Sequence, residues 1–142
     1  NLSFNASGGK KVINYTGRSA MLVTGNVNIH TSLLTCNDGD PNDYVASFPE
    51  RNCIGVMAGG NMVIGDKSQL DILGAFYAEG NIKFNKQTVI MGSLVTSTFD
   101  MSGQVPDIYQ VPSLRWNLPL GMIGNYPVLA FSPISWRELP AN

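Results

Sequence analysis

The sequence predicts an all-β chain wound as a short parallel β-solenoid, and three observations carry that expectation. A Gly-Asn turn recurs at Gly25-Asn26, Gly60-Asn61 and Gly80-Asn81, each preceded by an apolar triplet and followed by an apolar/polar/apolar alternation. The spacing is that of one coil: Gly60 to Gly80 is 20 residues and Gly74 to Gly92 is 18. Fifteen Gly, eight Pro and few runs of helix formers favour short strands joined by turns. Three to four coils of about 18–20 residues follow, at about 4.8 Å per coil.

The whole of 1–142 reads as one domain with three parts. Residues 1–17 form a polar lead-in strand with three Asn-x-Ser/Thr sequons, at Asn1, Asn5 and Asn14. Residues 18–103 carry the coils. Their triplets are Met21-Leu22-Val23, Val56-Met57-Ala58 and Phe76-Tyr77-Ala78, with Leu94-Val95-Thr96 opening a fourth, less regular unit. After each turn the alternation sends Val27, Ile29, Met62, Ile64, Ile82 and Phe84 inward and Asn28, Val63 and Lys83 outward. Gly in each turn is expected to supply a positive φ, and the Asn beside it to hydrogen-bond its counterpart in the next coil.

The third part, 104–142, holds six of the eight prolines. A residue without an N–H cannot serve a central ladder, so this part is expected to run extended over the outside. The triplets are apolar on both faces, and Trp116, Leu118, Leu120, Met122 and Trp136 are expected to cover the outer face made by Leu22, Met57 and Tyr77.

Gly25 to Gly60 is 35 residues, one coil plus an insertion. The only two cysteines, Cys36 and Cys53, stand at the ends of that insertion, which spans 36–53. Adjacent coils lie close enough for a disulfide, so Cys36–Cys53 is expected to be bonded, a stabilisation of about 3 kcal/mol and a mark of an oxidising compartment. Inside the loop Asp38, Asp40 and Asn42 alternate as in the opening of a calcium loop, but Gly and Glu are missing at the later positions such a loop requires. Calcium is the one cofactor with any candidate residues, and a solvated acidic turn is the plainer reading.

Catalytic constellations are thin. His30 is the only histidine, and no Gly-x-Ser-x-Gly, His-Glu-x-x-His or phosphate loop occurs. His30 reads as a strand-end residue, and Asp71 and Glu79 as surface carboxylates. Nine Lys+Arg against ten Asp+Glu leave no cationic excess for nucleic acid. No apolar run approaches the roughly 20 residues of a membrane span. Beginning at Asn1, the chain is expected to be a trimmed or mature product.

The runs Ile54-Gly55-Val56-Met57-Ala58-Gly59-Gly60-Asn61, Leu73-Gly74-Ala75-Phe76-Tyr77-Ala78-Glu79-Gly80-Asn81-Ile82-Lys83 and Gly92-Ser93-Leu94-Val95-Thr96, with the tail runs Val105–Pro112, Leu118–Met122 and Ile134–Pro140, resemble the solenoid domain of PilX-like, type IV pilus-associated bacterial proteins. The coils alone also bear a weaker resemblance to bactofilins. The first resemblance implies an exported, non-enzymatic structural or binding module whose partners are pilus or cell-surface subunits. A self-assembling fibre subunit is the alternative, because unpaired strand edges template further strands. A carbohydrate-active parallel β-helix enzyme is the third.

Overall fold

In the computed structural model the described residues are 1–6, 12–35, 46–65 and 69–124. More than half of them lie in strands: β1 Leu2–Phe4, β2 Val12–Tyr15, β3 Arg18–Val23, β4 Val27–Ile29, β5 Ser32–Thr35, β6 Cys53–Ala58, β7 Met62–Ile64, β8 Leu70–Phe84, β9 Thr88–Asp100 and β10 Asp107–Gln110. One short helix, α1, spans Leu114–Asn117.

The strands pair in parallel throughout these residues and fall on three ladders. Ladder I stacks β1, β4, β7 and the C-terminal parts of β8 and β9. Ladder II stacks β3, β6 and the middle parts of β8 and β9. Ladder III stacks β2, β5, the N-terminal parts of β8 and β9, and β10. Along the chain the strands visit ladders I, III and II in that order, repeatedly. Register follows residue type: Leu2, Val27, Met62, Ile82 and Phe99 share one row, and Ile13, Leu33, Ile72, Ile90 and Ile108 another.

One core cluster collects the inward rows of all three ladders. Val27, Ile29, Met62, Ile64, Ile82 and Phe84 are fully buried in it, as the alternation requires, together with Leu33, Val56, Ile72, Phe76 and Ile90. Each such side chain contributes about 1.5–3 kcal/mol of transfer free energy. Asn28, Val63 and Lys83 lie half-exposed on the other face.

Two boundaries differ from the sequence expectation. Pairing begins at Leu2, because β1 and β2 seat on β4 and β5 with the same inward rows as later strands. The polar lead-in therefore belongs to the ladders. At the other end Asp107–Gln110 pairs with β9 as an edge strand, since Pro106 and Pro112 flank those four residues and leave their N–H groups free to bond.

A second cluster lies on the outside of ladders II and III. Cys53, Met57, Leu73 and Ala75 project there and are covered by Phe48 from the insertion and by Leu114 and Met122 from the tail, with Val111 and Leu118 at its margin. Met122 rests on Gly55, where a Cβ would fall about 2.7 Å from the Met122 Cγ. Arg18 Nη2 donates to the Leu118 carbonyl at 3.1 Å, tying the tail across ladder II.

Candidate functional site

The most regular arrangement of side chains stands where the chain passes from ladder II to ladder I. Here Gly25-Asn26, Gly60-Asn61 and Gly80-Asn81 stack. The Asn61 backbone N–H donates to Asn26 Oδ1 at 2.9 Å, and the Asn81 N–H donates to Asn61 Oδ1 at 2.9 Å. Asn1 supplies the first step, its Oδ1 accepting from the Asn26 N–H at 2.9 Å. The expected hydrogen bond between counterparts is present. The expected role of glycine is not, because Gly25, Gly60 and Gly80 are absent from the positive-φ glycines. Their requirement is space: a Cβ on Gly60 would collide with Asn26 Oδ1, and one on Gly80 with Asn61 Oδ1.

The ladder of asparagines stops at the last rung. Asn81 Oδ1 is buried without a hydrogen-bond partner. The residue above it is Thr98, reached through a register shift between Ala78 and Asn81. Thr96 and Ser97 hydroxyls instead donate to the Gly80 carbonyl at 2.7 and 2.6 Å.

The passage from ladder III to ladder II is less uniform. Thr16-Gly17 makes it below, the insertion occupies it next, and Gly74 and Gly92 make it within continuous strands above. Gly74 and Gly92 are register partners with φ of 157° and 148°. A Cβ on Gly92 would collide with the Gly74 carbonyl oxygen. The insertion therefore leaves and rejoins a single rung, between β5 and β6. Its near end is held by polar contacts: Gly17 N–H donates to Asn52 Oδ1 at 2.6 Å, Asn52 Nδ2 to Ser47 Oγ at 2.9 Å, and Ser47 Oγ to Thr35 Oγ1 at 3.3 Å.

Cys53 faces the outer cluster as a fully buried free thiol. This differs from the expected disulfide; Cys36 lies outside the described residues, as do Asp38, Asp40 and Asn42. Burial pushes the Cys53 thiol up to about 11, only partly opposed by the Arg18 charge. Nearby, Tyr15 donates its hydroxyl to the Leu73 carbonyl at 2.7 Å, and burial raises its pKa well above the usual tyrosine value.

The tail residues divide. Met122 is buried and Leu118 half-buried on the outer cluster, beside Met57 and Tyr77 as expected. Trp116 and Leu120 are 78% and 80% exposed, Leu22 is 74% exposed, and none of the three packs in the outer cluster. The one-turn helix α1 turns Leu114 in and Trp116 out, with the Arg115 guanidinium 4.9 Å over the indole. Sequence reasoning missed Leu114; its signal was the Pro-Ser start of a turn followed by apolar residues two apart. Trp136 lies outside the described residues.

Among the described residues the acidic and histidine side chains do not converge. Asp71 stands exposed at the start of β8 and Glu79 eight residues on, on its middle part, and His30 follows β4, its backbone N–H donating to the Phe4 carbonyl at 3.0 Å. Among the described residues no three His, Cys, Asp or Glu side chains are grouped as a metal site would need. Lys83 and Asp100 pair at 3.3 Å, and the Ser102 hydroxyl and N–H, with Lys83, hold Asp100 down at about 2. No helix of the described residues is long and apolar enough to cross a membrane.

No family model, curated protein or solved structure matches this chain.

Proposed function

We propose that the three ladders are the faces of a short parallel β-solenoid, and that this solenoid is a non-enzymatic structural or binding module of an exported bacterial pilus or cell-surface assembly. One observation carries the reading. The polar side chains that recur from rung to rung are used to bind one rung to the next, as in the asparagine ladder, while several large apolar side chains among the described residues are left in water. Trp116, Leu120, Tyr109 and Leu22 are all more than half exposed, and exposed aromatic and aliphatic side chains are what a protein partner desolvates. The likeness of the coil and tail runs to pilus-associated solenoid domains supports the choice of assembly.

The test is where the protein goes and what it holds. Tagged at its C terminus in its own bacterium, the full-length protein is expected in the sheared surface fraction together with pilus subunits. Trp116→Ala with Leu120→Ala should reduce that association several-fold without changing protein level. Recovery of the wild type only from the cytosol removes the surface assignment.

A further inference from the structure

The two ends of the ladders are not finished alike. At the end made by β9 and β10, inward side chains reach solvent: Phe99 is 42% and Ile108 45% exposed, whereas Ile82 and Ile90 one rung below are fully buried. With Leu94 they line an open pocket of about 340 Å³ bordered by Gly92, Ser93 and Gln110. At the opposite end Leu2 and Ile13 occupy the same two rows and pack, partly buried, on the same core. Among the described residues neither end carries a further strand, and an edge strand without a neighbour offers its backbone N–H and C=O groups to another strand.

These ends are complementary because every pairing is parallel and the rows are continuous. The β1/β2 end of one molecule offers what the next rung of the β9/β10 end would contain: an aliphatic residue for the Phe99 row and another for the Ile108 row, with strand direction and rung spacing preserved. We propose that the chain associates head to tail with a second copy of itself, β1 seating on the end of β9 so that Leu2 covers Phe99, and β2 seating on β10 so that Ile13 covers Ile108. Ladders I and III carry this contact, since the visiting order leaves ladder II one strand short above Ser93–Thr96. The interface uses different surfaces on the two copies and does not close, so it propagates. The inference rests on the solenoid reading of the ladders and is independent of which cell-surface assembly the protein serves.

Light scattering on the full chain tests it. The wild type should show a mass average that rises steadily with concentration. Phe99→Lys with Ile108→Lys, which blocks one end, and Leu2→Lys with Ile13→Lys, which blocks the other, should each remain monomeric. An equimolar mixture of the two should give a mass twice that of the monomer and no larger, because each variant keeps the end the other has lost. Should the lysine pair at Leu2 and Ile13 prevent folding, judged by circular dichroism, Leu2→Ser and Phe99→Ser carry the same mixing test. A wild type that stays monomeric at every concentration overturns the proposal. So does a mixture that stays monomeric, or a closed wild-type dimer that mixing does not restore. None of these results bears on recovery from the surface fraction, so the two readings fail separately.

Discussion

The passage from ladder II to ladder I carries a Gly-Asn pair at the same place on three successive rungs, whereas the passage from ladder III to ladder II is made by a glycine on some rungs and by the insertion on another. In the first, the side chain of each asparagine accepts the backbone N–H of the next, so one residue type is needed at one place on every rung. In the second, backbone conformation alone makes the turn, at Gly17, Gly74 and Gly92. The insertion sits at this second passage, between β5 and β6. Side-chain to backbone bonding between rungs enforces periodicity; a bare glycine bend permits exceptions.

Substitutions can break this contrast, and the largest effect is expected where backbone meets backbone. Gly92→Ala places its Cβ against the Gly74 carbonyl, which cannot rotate away, and should cost about 3 kcal/mol or more in chemical denaturation. Gly80→Ala meets the Asn61 side-chain oxygen, which can swing aside only by giving up the Asn81 N–H, and about 2 kcal/mol is expected. Asn61→Ala removes the acceptor with no clash and should cost about 1 kcal/mol, so that the double variant with Gly80→Ala is less than additive. Additivity of the pair would show that the glycine serves something other than the asparagine ladder.

Two pH effects sharpen the comparison of sealed and open regions. The Cys53 thiol is raised from 9.0 to about 11, so its burial stabilises the fold fully below pH 9 and the contribution is lost as pH rises from there through about 11. Cys53→Ala should flatten that limb of the stability profile, and the wild-type thiol at this position should react with Ellman's reagent only on unfolding. At the open end, Asp100 is lowered from 3.8 to about 2, so its contribution is present above pH 4 and is lost as pH falls through about 2. This acid effect should be the smaller, because the Lys83–Asp100 pair is solvated, and added salt should diminish it. Trp116→Ala should leave the unfolding midpoint unchanged, against about 2 kcal/mol for Met122→Ala, which empties a buried site over Gly55.

Much of the ladder region was legible because its signals are local and repeated. The inward rows follow from alternation, and the asparagine contacts from a Gly-Asn pair at matching positions. The tail was legible only in part. Met122 and Leu118 are as apolar as Leu120, and nothing in their own sequence says which of them finds the gap that Gly55 leaves in a distant strand. Proline correctly signals where pairing cannot occur, but Pro106 and Pro112 are spaced widely enough to leave room for β10. The likeness of Cys36 and Cys53 to a loop staple came from their positions alone, whereas the side of the strand on which Cys53 faces, toward Met57 and Leu73, is set by packing.

By itself the sequence determined the all-β class, the parallel rows and the residues that fill the core, since hydrophobic alternation and a turn recurring at matching positions act through near neighbours. Tertiary structure alone decided that β1, β2 and β10 extend the ladders beyond the visible repeat, that Trp116 faces water while Leu114 is buried, and that the two ends expose matching rows. Those outcomes depend on contacts between residues far apart in the chain, where the free volume left by one segment selects which side chain of another is buried.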